Sequence, residues 1–206
     1  MFSISLLEVI IAIVMGVILI YKEVDRKTFY LVLPKPVRRS EVVAGKFTGL
    51  LAVLAVAIVV MGLAWVLTLT ARGVVLRPDM FKAMILVWME ASLLTSVALF
   101  FGSFATPVMS GVFTFGVFLV GRSLVVLDNL LTAKKGLIVT NPEIKFIADT
   151  VVNIFPDLSV FNIGKEIILG VPVGWDYVGG AGLYCLGYCI CFLALAMLIF
   201  SRRDFV

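Results

Sequence analysis

Five long apolar stretches alternate with short polar segments along the chain. Each stretch is long enough to cross roughly 30 Å of hydrocarbon as a helix, which takes about 20 residues. None of them shows the alternation of polar and apolar residues that the strands of a membrane barrel need. The pattern therefore predicts an all-α integral membrane protein with spans at about 2–21, 42–70, 83–104, 107–126 and 178–200.

Composition supports the same class of protein. With 62% hydrophobic and 15% charged residues, a chain of 206 residues has too little polar surface to cover a soluble globule. Histidine is absent, which excludes His-ligated haem, His-containing zinc sites and His-based catalytic triads. All three cysteines fall in the last span, so they say little about the redox compartment.

A charged island between the first two spans predicts the orientation of the chain. Residues 22–46 carry seven of the 17 Lys and Arg residues, and short loops rich in these residues stay on the cytoplasmic side. The N-terminus is then outside and the C-terminus inside, where Arg202 and Arg203 add to the cytoplasmic charge. Segment 71–82 lies outside in this arrangement, although it carries three basic residues.

The external segment 127–177 is predicted to contain helices of its own. In "NPEIKFIADTVVNIF", residues 141–155, apolar positions recur at helical spacing, which is typical of a helix at the membrane surface. After Pro156, "LSVFNIGKEIILG" predicts a second short helix that Gly170 ends. No internal repeat is present, and residues 1–206 are interpreted as a single membrane domain.

Three motifs stand out along the chain: "KEVDRKTFYLVLPKPVRRSEVVAGKFTG" at 22–49, "PDLSVFN" at 156–162 and "FSRRDF" at 200–205. They resemble motifs of the permease subunits of type 2 ABC transporters, and the resemblance extends along the whole chain. Lys27 departs from the pattern, because the family usually has Gly before the Thr. The family usually also has six spans, so the resemblance implies that this chain begins at the equivalent of the second span. A shortened gene product, a misassigned start and one half of a split permease remain alternatives.

The resemblance implies particular partners. A separate ATPase chain would bind ATP and Mg and dock beneath a prokaryotic plasma membrane, while this chain would hold no cofactor and bind no nucleic acid. A second copy or a related permease chain would complete the path, among membrane lipid, and a further chain is a candidate source of the missing span. "VAGKFTG" is not a phosphate loop, because Ser40 and Phe47 stand where Gly and Ser or Thr are required.

By the same resemblance, segment 22–41 would form a coupling helix that the ATPase subunit contacts. The expected contact residues are Glu23, Asp25, Arg26, Lys27, Thr28, Phe29, Pro36, Arg38, Arg39, Ser40 and Glu41. The alternative is that the basic residues only set the topology and bind anionic lipid. Because acidic residues are mixed among the bases, the docking role is favoured.

Three ionisable residues fall inside predicted spans: Glu8, Glu90 and Arg122. All three lie roughly 6–10 Å below the outer ends of their helices, so we expect a polar cluster there. One interpretation is a Glu–Arg pair that holds helices together, and the other is an outer gate or a substrate-lining site. Cys185 and Cys189 share a helical face, but two thiols make a poor Cu(I) site.

The leading functional hypothesis is a transport permease driven by a partner ATPase. A non-transporting scaffold that recruits a peripheral protein through the charged island is the second hypothesis. An ion-coupled secondary transporter predicts paired broken helices in related halves, and this pattern is not seen. An intramembrane hydrolase is disfavoured, since the chain lacks His and the G-x-S-x-G motif.

Overall fold

The computed structural model describes residues 2–25, 39–73, 78–132, 150 and 155–202. Within these ranges the regular structure is helical and includes no strand. The elements are α1 (Phe2–Asp25), α2 (Arg39–Ala71), α3 (Asp79–Gly102), α4 (Pro107–Thr132), a 3-10 turn (Leu158–Phe161), α5 (Gly164–Leu169) and α6 (Trp175–Arg202). The predicted all-α membrane fold is confirmed.

Among the described residues, four helices are long and apolar enough to cross a membrane. Their apolar parts are Val43–Ala71, Asp79–Gly102, Pro107–Val125 and Trp175–Ile199, in α2, α3, α4 and α6. Helix α1, the first of the five predicted spans, has a shorter apolar part, Ser3–Ile18. It nevertheless packs against α2, α3 and α4, so it belongs to the same bundle.

Helix α3 forms the centre of the bundle. Of its membrane-spanning window 67% is buried, whereas at most 28% is buried in the other three candidate spans. A helix that is apolar on all sides suits this central position, and its residues from Glu90 to Leu99 are all buried. Each neighbouring helix makes a hydrogen bond with it, through the pairs Ser5–Glu90, Leu51–Trp88, Ser110–Ala98 and Cys185–Met89.

Contacts along α3 show the direction of the surrounding helices. Helices α1 and α6 run parallel to α3, whereas α2 and α4 run antiparallel to it. Two contacts with α3 fix the direction of each helix. They are Ser5–Glu90 and Gly16–Ala98 for α1, Cys185–Met89 and Phe192–Phe100 for α6, Leu51–Trp88 and Gly62–Met84 for α2, and Ser110–Ala98 and Arg122–Glu90 for α4. One end of the bundle therefore gathers Asp25, Arg39, Gly102, Pro107 and Arg202. We call it the basic end, and the other the loop end.

The connection between α3 and α4 is a tight turn at the basic end. The Ser103 N–H donates to the carbonyls of Leu99 and Phe100, each at 3.1 Å, and so closes α3. Pro107 begins α4, where the fourth span was predicted to begin. A proline suits this position because it lacks only an N–H that the first helical turn leaves unused. The short turn forces α3 and α4 into adjacent antiparallel positions.

The segment 155–170 covers the loop end of α3 and α4. Asp157 caps the 3-10 turn by accepting from the Ser159 N–H at 2.9 Å, and Leu158 and Phe161 are buried. Helix α5 ends at Gly170, whose φ of 75° is left-handed, and this confirms the predicted end. The predicted helix is divided, because a 3-10 turn precedes α5. The other predicted external helix, 141–155, lies outside the described residues except for Thr150 and Phe155.

Candidate functional site

A bidentate ion pair joins α3 and α4 inside the bundle. The Arg122 Nε donates to Glu90 Oε1 at 2.9 Å, and its Nη2 donates to Glu90 Oε2 at 2.9 Å. The Glu90 side chain is completely buried, and that of Arg122 is 15% exposed. Two parallel N–H···O bonds fix both the distance and the relative orientation of the two groups. The pair therefore sets the register between α3 and α4.

Ser5 adds α1 to this pair. Its hydroxyl donates to Glu90 Oε2 at 3.1 Å and accepts from Arg122 Nη2 at 2.5 Å. Sequence reasoning missed Ser5, because a serine near the start of an apolar helix, with Ser3 two residues before it, carries no recognisable pattern. We call Ser5, Glu90 and Arg122 the polar lock, since three helices meet through their side chains.

The sequence also predicted Glu8 in this cluster. Glu8 is buried, with 0% of its surface exposed, but neither carboxyl oxygen has a hydrogen-bond partner among the described residues. The structure thus brings Glu90 and Arg122 together and leaves Glu8 out of their hydrogen bonds, although Glu8 is only one helical turn from Ser5.

The polar lock borders a small cavity beneath the 3-10 turn. The cavity has a volume of about 10 Å³, and its lining includes Ser5, Arg122, Phe161, Asn162 and Gly164. This is roughly the space that one water molecule needs. The lock and segment 155–170 therefore meet at one place, where a movement of the segment would change access to Arg122.

Two further contacts surround Arg122 of the polar lock: an aromatic ring beside its guanidinium group and close backbone packing at the preceding residue. The Phe118 ring lies 5.5 Å from the Arg122 guanidinium carbon, a distance at which a cation is attracted to a ring face. One residue before Arg122, a β-carbon at position 121 would lie 2.7 Å from the carbonyl oxygen of Pro156. Only Gly121 lets segment 155–170 approach α4 this closely.

A larger apolar groove lies between α2 and α3, toward the loop end. Its volume is about 520 Å³, and its walls include Ile58, Gly62 and Leu63 from α2 and Met84 and Trp88 from α3. The Trp88 indole N–H donates to the Leu51 carbonyl, so it is satisfied within the helix pair. The groove therefore offers apolar surface to the membrane interior.

The predicted coupling residues lie at or beside the basic end. The backbone of Glu23 and Asp25 belongs to the last turns of α1, and that of Arg39, Ser40 and Glu41 to the first turn of α2. Glu41 is exposed. The remaining predicted contacts, Arg26, Lys27, Thr28, Phe29, Pro36 and Arg38, lie outside the described residues, as does any helix within 26–38.

Two of the three cysteines face each other inside the bundle. The Cys185 and Cys189 sulfurs are 3.9 Å apart and both residues are buried, whereas Cys191 is exposed. Cys185 donates to the Met89 carbonyl at 3.3 Å, so it contributes to the α3–α6 packing. In the part of the chain that the structure describes, no group of three His, Cys, Asp or Glu residues is placed to hold a metal ion.

These features define an α-helical integral membrane protein whose central helix is tied to its neighbours by buried polar contacts. A family model described as ABC-2 family transporter protein matches residues 3–205. The chain belongs to this family of membrane transport components, and it is a permease-type transporter subunit. Comparisons with curated proteins and with solved structures give no significant match.

Proposed function

We propose that this chain is the permease subunit of an ATP-driven exporter. Two copies, or one copy and a related chain, form the substrate path at their interface. A separate ATPase subunit binds ATP and Mg and acts on the permease through segment 22–41. The chain lies in a prokaryotic plasma membrane with its basic end in the cytoplasm.

Family membership over nearly the whole chain is the observation that carries this proposal. Permeases of this family typically pair with an ABC ATPase subunit. The helix directions give further support, because the end of α1, the start of α2, the α3–α4 turn and Arg202 share one end of the bundle. Basic residues at one end favour a cytoplasmic position for that end. A docked ATPase would thus reach the ends of α1, α2 and α6 and the α3–α4 turn at once.

In this proposal the polar lock is an outer gate. Because it ties α1 and α4 to α3 toward the loop end, a push on α1 at the basic end is transmitted along a helix whose other end is held by hydrogen bonds. Opening on the outside would require α1 or α4 to separate from Glu90. The chemistry of the subunit is conformational, and ATP is hydrolysed on the partner.

The test is affinity purification in mild detergent, with and without Glu23→Arg and Asp25→Arg together. The wild-type chain is expected to retain an ATPase subunit that contains a phosphate-loop motif. The double reversal is expected to release most of that subunit, because it replaces two acidic groups of the coupling segment by bases, while the chain still inserts into the membrane.

Asp176→Arg is the control, because Asp176 is an exposed acid at the opposite end of the bundle and its reversal should leave the complex intact. A doubly reversed chain that keeps its ATPase partner and its ATP-driven turnover would show that coupling occurs elsewhere. A wild-type chain that recovers no ATPase would favour the scaffold hypothesis instead.

A further inference from the structure

Glu8 is a buried acid that has no hydrogen-bond partner in the part of the chain that the structure describes. None of its surface is exposed, and neither of its oxygens has a hydrogen-bond partner among the described residues. Buried charges in proteins are paired or coordinated, since an isolated carboxylate loses its hydration without compensation. The charge state of Glu8 therefore needs an explanation that the polar lock does not supply.

The helices packed against α1 offer no counter-charge. These are α2, α3 and α4. In α2 the only basic residues are Arg39 and Lys46, close to the basic end, whereas Glu8 lies toward the loop end of α1. In α3 the basic residue is Lys82, which binds Asp79 and the Val173 carbonyl. Arg122 of α4 is engaged by Glu90 and Ser5.

On the face of α1 that carries Glu8, the packing within the chain excludes an approaching helix from a second chain. Glu8, Ala12 and Gly16 follow one another at steps of four and are all buried. A β-carbon added at Gly16 would lie 2.9 Å from the Ala98 β-carbon, and Ala12 packs with Leu54 and Ala91. This face of α1 is therefore already occupied by α2 and α3 of the same chain.

A metal cation at Glu8 would need several further oxygen ligands. Among the described residues, no group of three acidic, Cys or His side chains is placed to hold one. A proton needs no cavity and no second ligand. We infer that Glu8 is a proton-binding site, which holds its carboxyl as the neutral acid while α1 is packed against α3. This inference does not depend on the proposed exporter function.

The bound proton links helix movement to proton release. If α1 separates from α3, water reaches the carboxyl, and the proton passes to that water to leave a hydrated carboxylate. As long as Glu90 and Arg122 stay paired, the net charge of that pair does not change in this step. A movement of α1 that drives transport would then release one proton from Glu8.

The test is infrared difference spectroscopy on the purified full-length chain in an ester-free detergent at neutral pH. The carbonyl band of a protonated carboxyl is separate from the bands of a carboxylate. Subtraction of the Glu8→Gln spectrum from that of wild type is expected to show the loss of one protonated-carboxyl band. Glu41→Gln is the matched control, because Glu41 is exposed, and this change should remove carboxylate bands instead.

Glu8→Met provides a second variant if the glutamine variant does not assemble. Methionine has a similar length and is apolar, so the same carboxyl band should be lost and the thermal midpoint should not fall. Loss of carboxylate bands, with the protonated-carboxyl region unchanged, would overturn the inference. So would a Glu8→Met chain that unfolds where the wild-type chain is stable, because that result requires a buried charge with a partner.

Discussion

At the scale of single residues, the position of Arg122 depends on groups that lie far away in sequence. Its partners are 32 residues away at Glu90 and 117 residues away at Ser5. Both Glu90 oxygens and the Ser5 hydroxyl are engaged. A network in which every polar group has a partner holds its members in one arrangement, whereas a partly satisfied network is costly.

Arg122→Met tests the polar lock. The substitution leaves the Glu90 carboxylate buried without its cation, and we expect a loss on the order of 3 kcal/mol in the free energy of unfolding. Adding Glu90→Gln should restore much of this loss, because it removes the unpaired charge. Unfolding of the purified chain in a denaturing detergent would measure both effects.

The control for this experiment is Arg72→Met, because Arg72 is an exposed arginine in the turn after α2. Its replacement should change stability by less than about 0.5 kcal/mol. If Arg122→Met and Arg72→Met prove equally mild, the ion pair does not hold α3 and α4 together.

At the scale of elements, the contact between α4 and segment 155–170 depends on one missing side chain. A β-carbon at Gly121 would lie 2.7 Å from the Pro156 carbonyl oxygen and 2.7 Å from Leu158 Cγ. The carbonyl oxygen belongs to the backbone, so it cannot rotate away as a side chain does. The 3-10 turn therefore packs directly against the backbone of α4.

Gly121→Ala is expected to displace the 3-10 turn at a cost of about 1–3 kcal/mol. Hydrogen exchange in residues 155–170 should become faster than in the wild-type chain, because the turn that holds the Asp157 cap and the buried Phe161 would no longer pack against α4. Exchange measured by mass spectrometry would locate the change.

Gly116→Ala is a matched control in the same helix. No atom lies within 4 Å of a β-carbon placed there, so alanine should be neutral or stabilise α4 by up to about 1 kcal/mol through its higher helix propensity. Equal exchange in the two variants would mean that α4 does not support the turn through Gly121.

At the scale of the whole molecule, the helix directions place the described helix ends in two groups. The basic end has the end of α1, the start of α2 and the α3–α4 turn, and the loop end has the end of α2, the start of α3 and the described segment 155–174 before α6. This arrangement predicts which surfaces face the cytoplasm and which face the exterior.

Cysteine labelling of intact cells tests the orientation. In a chain whose native cysteines are replaced by alanine, Asp176→Cys should react with a membrane-impermeant maleimide from outside. Glu41→Cys should react only after permeabilisation, because the basic end faces the cytoplasm. Both positions are exposed in the structure. Reaction of position 41 in intact cells would invert the orientation, and with it the proposed docking site.

Much of the fold was predictable from local features of the sequence. Apolar length predicted the long helices, including the start of α4 at 107, and Gly170 predicted the end of α5. Each of these depends on chemistry within a few residues. The division of the predicted helix after Pro156 into a 3-10 turn and α5 was missed, because the Asp157 cap favours the tighter turn.

The charged residues of the candidate site were visible in the sequence, since ionisable groups inside apolar spans stand out. Their pairing was not. Glu8, Glu90 and Arg122 have similar expected depths, and depth alone does not tell which side chain faces which helix. The rotation of α1 turns Ser5 toward Arg122 and leaves Glu8 without a hydrogen bond among the described residues.

The sequence by itself determined the class of the protein, the extent of its helices and the concentration of charge between α1 and α2, because hydropathy, helix ends and net charge are local properties. Only the tertiary structure decided that α3 is the buried centre, that Ser5 completes the Glu90–Arg122 pair and that Glu8 stands apart from it. Those outcomes depend on how the five long helices rotate and cross when they pack, and contacts between residues more than 80 positions apart cannot be read from local periodicity.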